Sequence, residues 1–395
     1  MGSVIYTSPP LRAVDEAALD AIHRLRQELR FFLREPRRWY GSLRRTTLAR
    51  AVQGSNSVEG YHASVEDVAA IVESEEPLGA SDETRAAITG YRDAMTYVLQ
   101  LAGAPVRFDA SLIRSLHFMM LKHDLSKHPG QWRPGGIWIE DQDGQSVYTA
   151  PSREQVEPLM AELVEQLNAA DGDPMIAAAM AHLNLTLIHP FSDGNGRLAR
   201  CLQSLVLAKE GVISPEFASI EEYLGRNTAD YYEVLTEVSH GSWHPDRSAR
   251  PWIELCLTAH HRQAVTVLRR IRETEAIWDR CDQLAATHRL PDRCVGALCD
   301  AARGWRLRRS LYVKVILSTS GEEITDATAT RDLRAMAEAG LLEPHGEKRA
   351  RQYTPTPSLR RAWDTIRAQR PAATIEGPYP DNLAAAQPPL PGLDR

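Results

Sequence analysis

The sequence predicts a mainly α-helical protein with one short β-hairpin and a small C-terminal unit of helices followed by a two-strand wing. Three observations predict this. Apolar residues recur at helical spacing, as at Leu19, Ile22, Leu25, Leu29 and Leu33. Between Trp132 and Ala150, Ile137, Ile139, Val147 and Tyr148 flank a polar turn containing Asp143-Gly144, the pattern of a hairpin. Near the C-terminus, Leu311 to Leu317, Thr325 to Ala339 and LLEPHGEKRARQYTP follow the order of a winged helix-turn-helix.

The first helix spans 13 to 34, and Pro36 closes it. A second runs from about Trp39 to about Glu59, with Gly54 expected to break it in two. Further helices are expected near 64–75, 82–101, 109–122, 153–169, 173–188, 197–209, 228–239 and 250–275, and a boundary between 276 and 305. Residues 371 to 395 are rich in Pro and Ala, have little to bury and are expected to be disordered.

A length of 395 residues suggests two or three domains with a sizeable core, and 43% hydrophobic with 25% charged residues is ordinary for a soluble protein. A net charge of -6 argues against coating of the whole surface by nucleic acid and leaves a local basic patch open. The cysteines at 201, 256, 281, 294 and 299 form no CxxC pair, which suits reduced thiols in the cytoplasm. The N-terminus has no apolar h-region, Tyr6 stands where a myristoylation motif wants Ser or Thr, and no apolar run approaches the roughly 18 residues of a membrane span.

The segment IHPFSDGNGRLAR, residues 188 to 200, concentrates chemistry. A helix ends at Ile188-His189 before Pro190, and a new helix with an apolar face opens after Gly194-Asn195-Gly196. Glycines before a helix start let backbone N–H groups converge on an anion, and the helix dipole favours its charge. Arg197 and Arg200 lie three apart and can reach one phosphate chain. Asp193 is an oxygen ligand of the kind Mg2+ takes beside substrate phosphates, and His189 can accept a proton at neutral pH. His189 and Asp193 lack the local third ligand of a zinc site, and no Gly-Lys-Ser/Thr makes the loop a Walker loop. The residues alone therefore indicate a phosphorylated ligand, with composition suited to phosphoryl or nucleotidyl transfer.

HPFSDGNGRLAR resembles the signature of the Fic family, and His189, Phe191, Asp193, Gly194, Asn195, Gly196, Arg197 and Arg200 match its fixed positions. SLHFMM around His117, PGQWRPGGIWI from Pro129 and PSREQVEPLM from Pro151 extend the resemblance upstream, and Tyr231-Tyr232 extends it downstream. The resemblance implies a Fido-type helical core that attaches AMP from Mg-ATP to a Ser, Thr or Tyr hydroxyl of a target protein. In that reading His189 is the general base, Asp193 holds Mg2+, and Gly194, Asn195 and Gly196 form the anion hole. Arg197 and Arg200 hold phosphates, Phe191 anchors the loop, and Tyr231 and Tyr232 border the base. Ile137, Trp138 and Ile139 belong to a flap that clamps the target by strand addition. Ser239 departs from relatives, which often place Asn there, so the identity of the nucleotide stays open.

SNSVEG, residues 55 to 60, resembles the family's inhibitory motif, with Ser55 and Glu59 on one helix face. The resemblance implies that Glu59 pairs with Arg200 and keeps it from a γ-phosphate. In the C-terminal unit, Arg331 and Arg334, the wing's Lys348, Arg349 and Arg351, and the cluster Arg303, Arg306, Arg308 and Arg309 raise DNA as a partner beside ATP and the protein target. A homodimer stays open, and no membrane partner is expected. The expected division is an N-terminal region with the inhibitory motif over 1–105, a catalytic core over 106–260, a helical linker over 261–304, a winged-helix-like domain over 305–367 and a disordered tail over 368–395. Two other readings stay open: removal of AMP by the same site, and a DNA-binding regulator whose core is a sensor.

Overall fold

In the computed structural model, residues 4–379 are described except 36, 141–143, 170–171, 210, 212, 348–350 and 371–376. Pro36, Asp143, Lys348, Arg349 and most of the expected tail therefore lie outside the described residues. Helix α1 spans Ala13–Arg34 and buries Leu19, Ile22 and Leu29, the spacing that predicts it. Helix α2 (Tyr40–Val58) follows, then α3 (Val65–Val72), α4 (Asp82–Leu101) and α5 (Ala110–Leu121). The last three start where a side chain takes up an orphan backbone donor: Ser64 accepts from the Asp67 N–H, Ser81 from Thr84 and Asp109 from Leu112. A 3-10 turn at Leu125–Lys127 leads to the antiparallel hairpin β1 (Trp138–Glu140) and β2 (Ser146–Thr149), where Trp138 pairs with Thr149 and Ile139 with Tyr148.

Helices α6 (Arg153–Ala169), α7 (Pro174–Ile188) and α8 (Asn195–Lys209) come next. Helix α7 is buried on nearly every face, as befits the central helix of a bundle, and it packs along α8. Short helices α9 (Pro215–Ala218) and α10 (Glu221–Arg226) precede α11 (Thr228–Ser239) and α12 (Arg250–Thr287). The C-terminal part is α13 (Cys294–Ala302), α14 (Arg309–Ser320), α15 (Asp326–Glu338), β3 (Leu342–His345), β4 (Gln352–Pro355) and α16 (Pro357–Ala368). β3 and β4 pair antiparallel, and Leu307 bridges to Tyr353 at their edge.

Three expectations are corrected. Gly54 does not break α2: the helix is continuous, and Gly54 is where it crosses α10 so closely that a Cβ would lie 2.7 Å from the Glu222 Cα. The expected linker over 261–304 is not a separate piece. One apolar core runs from Ile5 to Ile271 and a second from Ile277 to Leu359, so the division falls inside α12. The tail does not begin at 368, because α16 includes Ala368, Arg370 pairs with Glu273 at 2.7 Å, and the Tyr379 hydroxyl donates to Asp15 at 3.0 Å. All five cysteines are buried and unbridged. Among the described residues, no helix is long and apolar enough to cross a membrane.

Candidate active site

The α7–α8 turn is built by backbone constraint. His189 caps α7 in the left-handed region, at φ 52° and ψ 57°. Its Nδ1 lies 3.1 Å from the Thr186 carbonyl, which can only accept, so Nδ1 carries the proton and Nε2 keeps its lone pair. Burial lowers the imidazole pKa, outweighing the Thr186 bond that raises it, and so favours the neutral, proton-accepting form. Phe191 is fully buried and stacks on His117 with centroids 3.7 Å apart. The Asn195 side chain closes the turn reciprocally: its Oδ1 accepts from the Phe191 N–H at 2.9 Å, and its Nδ2 donates to the Phe191 carbonyl at 2.8 Å. Asn195 therefore has its main-chain N–H, and not its side chain, to offer a ligand.

Gly194 sits at φ +76°, a conformation glycine adopts without strain, and a Cβ there would lie 2.9 Å from Leu121 Cδ1. A Cβ on Gly196 would overlap Glu59 Oε1 and lie 3.2 Å from Arg200 Nη1. Glycine at 196 is thus what allows Glu59 and Arg200 to meet over the loop. Asp193 is part-exposed and accepts the Gly194 N–H at 2.6 Å, with Lys127 Nζ 3.4 Å and Arg197 Nη2 3.6 Å away.

The two arginines differ. Arg197 is 1% exposed, lies 5.2 Å over the Tyr61 ring, and its Nε and Nη1 have no hydrogen-bond partner among the described residues. Such buried donors cost about 1–3 kcal/mol if left unmet, so an anionic ligand is the chemistry that fits them. Arg200 is held: its Nε donates to Ser55 Oγ at 2.8 Å, and its Nη2 donates to the Ser55 carbonyl at 2.9 Å and to Glu59 at 2.6 Å. Its Nη1 is unmet. Burial alone would lower the Arg200 pKa, but Glu59, then Tyr231 and Tyr91, outweigh it and keep the guanidinium charged. Ser55 and Glu59 thus come to the site at the C-terminal end of α2, 145 and 141 residues from Arg200.

Tyr231 is buried beneath Arg200, 6.0 Å from the guanidinium carbon, with its hydroxyl 3.1 Å from His182 Nε2. Tyr232 is 47% exposed, and its hydroxyl donates to the Val58 carbonyl at 3.3 Å. Of the two tyrosines, Tyr232 is the one with open surface. Ser239 is buried at the last turn of α11. In the hairpin, Trp138 is 59% and Ile139 38% exposed, while Ile137 packs on the core.

Sequence reasoning assigned no role to four residues around this loop. Arg133 is buried and donates through Nε to the His189 carbonyl at 2.9 Å, tying the segment before the hairpin to the α7–α8 turn. The Tyr148 hydroxyl donates to the Leu187 carbonyl at 2.5 Å, and Lys127 and Tyr61 flank Asp193 and Arg197. No spacing rule links such residues to the loop, because their roles arise only when distant segments pack.

The C-terminal basic cluster is also corrected. Arg303 donates to Ser42 and Thr274, the Arg306 N–H and Nε both reach Glu66, and Arg308 reaches the Glu76 carbonyl, so these three serve an internal interface. Arg309 pairs with Asp326 and Arg334 with Glu338, while Arg331 and Arg351 are exposed.

Residues 107–207 match the family model described as Fic/DOC family. The chain is 29% identical over 198 residues to the protein adenylyltransferase Fic of Nematostella vectensis, covering 48% of this chain and 43% of that protein. It is 27% identical over 256 residues to the protein adenylyltransferase fic-1 of Caenorhabditis elegans, covering 62% and 49%. The chain thus spans less than half the length of these curated relatives. The crystal structure of a Fic family protein from Desulfovibrio desulfuricans G20 superposes with a TM-score of 0.58 at 20% identity, over 89% of this chain and 99% of that one. Fic-1 from C. elegans superposes with a TM-score of 0.54 at 24% identity, over 66% and 73%. These two likenesses show a common fold. Residues 107–207, which hold the signature loop, are thus similar to the Fic/DOC family domain, within a fold shared with solved Fic proteins.

Proposed function

We propose that the domain transfers AMP from Mg-ATP to a hydroxyl of a protein side chain, and that Glu59 restrains the transfer. The observation that carries this reading is the state of the two arginines: Arg197 is buried with unmet donors beside a glycine loop, and Arg200 is gripped by Ser55 and Glu59. The names of the curated relatives support the transfer chemistry. His189 Nε2 takes the proton of the target Ser, Thr or Tyr hydroxyl. The freed oxygen attacks the α-phosphorus, a new O–P bond forms, and the bond to pyrophosphate breaks. The main-chain N–H groups of Asn195 and Gly196 and the two guanidiniums stabilise the charge that builds on phosphate oxygens, while the Gly194 N–H, expected in the same anion hole, is spent on the Asp193 carboxylate.

Asp193 fits a metal ligand, since one carboxylate beside substrate phosphates is the pattern Mg2+ takes, and it is part-exposed. Bound there, Mg2+ would neutralise phosphate charge. The exposed edge residues Trp138 and Ile139 suit a target segment that adds to the hairpin as a strand.

Glu59 acts by occupation and by charge. While it holds Arg200 Nη2, that donor is unavailable to a terminal phosphate, and the carboxylate repels the phosphate itself. Glu59→Gly is expected to raise labelling of the chain or of a lysate by radiolabelled ATP. Equal labelling in both forms would remove the restraint from the reading. His189→Ala is expected to abolish labelling while ATP still binds; full labelling in that variant would take the base role from His189.

A further inference from the structure

His117 lies on α5, 76 residues from Asp193 in sequence and outside the signature. It is fully buried, and both ring nitrogens are committed to main chain. The Gly130 N–H donates to Nδ1 at 2.8 Å, so Nδ1 holds a lone pair and the ring proton is on Nε2. Nε2 therefore donates to the Asp193 carbonyl, 2.9 Å away. The ring plane is fixed as well, stacked on Phe191 with 12° between the planes. The Gly130 end is rigid in its turn, because Arg114 Nε donates to the Gly130 carbonyl at 2.6 Å.

A trans peptide bond sets its carbonyl and its N–H in opposite directions. The carbonyl of Asp193 and the N–H of Gly194 belong to one peptide plane. Pinning that carbonyl toward α5 turns the Gly194 N–H the other way, toward the Asp193 carboxylate, which it meets at 2.6 Å. Gly194 is at φ +76°, a residue type with little preference of its own, so the plane needs an outside hold.

We propose that His117 is a positioning residue for the phosphate loop: by holding the Asp193 carbonyl it fixes the peptide plane whose Gly194 N–H grips and orients the Asp193 carboxylate, and through Gly130 it couples the aim of that N–H to the segment that carries the hairpin. This rests on the transferase reading for its rate effect, but the aim of the N–H does not.

Two variants separate the bonds. A glutamine amide nitrogen reaches about where Nε2 stands, and an asparagine oxygen reaches about where Nδ1 stands. In the full chain carrying Glu59→Gly, His117→Gln is expected to keep kcat within about threefold. His117→Asn is expected to lower kcat on the order of 10–100-fold, below the loss from deleting an anion-hole donor, with KM for ATP little changed. Matched thermal melts of the two variants exclude a folding effect. Equal kcat in the Gln and Asn forms overturns the proposal. The second readout is the Gly194 amide signal of the 15N-labelled chain on addition of Mg-ATP. It is expected to move in the parent and in His117→Gln and to stay still in His117→Asn. If Glu59→Gly transfers nothing, the transferase reading fails, and this signal decides the positioning by itself; movement in all three forms sinks it.

Discussion

Arginine does different work at the two ends of α2. At its C-terminal end, Ser55 and Glu59 hold Arg200, and Arg197 lies alongside with two buried nitrogens unmet. Near its N-terminal end, Arg45 forms a buried ion pair with Asp300 of α13 and lies 5.2 Å over Trp305, and Arg303 reaches back to Ser42. Both ends bury guanidinium groups. At the first the partners are a glycine loop and one removable carboxylate; at the second they are carboxylates and rings of a packed interface. Arg45 also leaves nitrogens unmet, so an unmet donor alone does not mark a ligand site. The mark is an unmet donor with no strong carboxylate bond, beside a loop whose N–H groups converge.

The largest expected effect tests the interface end. Arg45 and Asp300 side chains are each 3% exposed. Arg45→Ala leaves Asp300 buried with the more distant Arg303 at 3.5 Å, and is expected to cost roughly 3–5 kcal/mol in urea unfolding. Arg197→Ala should do the reverse. Its Nε and Nη1 have no hydrogen-bond partner among the described residues, so removing them offsets the packing over Tyr61 that Ala loses, and stability is expected to change by under about 1 kcal/mol. Transfer in the Glu59→Gly background is expected to fall about 100–1000-fold, the scale for losing one donor to developing charge. If Arg197→Ala destabilised as much as Arg45→Ala, the distinction between the two ends would fail.

Most of the fold was legible in the sequence because helical periodicity reports burial directly. Helix α1 ends at the residues the periodicity marks, and the hairpin follows from Ile137, Ile139, Val147 and Tyr148 flanking a polar turn. Gly54 misled because glycine reads alike whether it interrupts a helix or lets two helices touch; only the neighbour, α10, decides. The α7–α8 turn was legible as a candidate site because its parts are consecutive in the chain. His117 and Arg133 act on main-chain atoms of that turn from α5 and from the segment before β1, and no local pattern encodes a bond of 76 or 56 residues' separation. The basic cluster at 303–309 misled for a related reason: a run of arginines has the same composition whether it faces solvent or Glu66, Asp300 and Asp326.

The rings behind Arg200 sharpen the comparison through pH. His182 contacts Tyr231 and Gln203, and burial holds its pKa down at about 3; His260, bonded to Gln203, is likewise held at about 3. Unfolded, these groups take up protons near pH 6.5, so the unfolded state binds more protons and stability falls as pH drops from about 6.5 toward 3. Glu221, which burial pushes up to about 7, has the opposite sign, so the variant is more telling than the parent curve. His182→Gln is expected to flatten the acid side of urea midpoint against pH. An unchanged slope would mean that His182 is not held neutral beneath Arg200.

The smallest expected effect falls on Arg306. Its side chain is 39% exposed against Glu66, at 3.0 Å, and solvent screening keeps such a pair to about 1 kcal/mol or less. Arg306→Ala should therefore melt close to the parent and leave labelling by radiolabelled ATP unchanged, with Glu59 still on Arg200. Glu66 stands on α3, directly after the turn that follows Glu59, so this contact is a short path in sequence from the C-terminal unit to the restraint. A rise in labelling with no loss of stability would break the comparison: the two ends of α2 would then be coupled, and the interface arginines would belong to the control of the site rather than to packing alone.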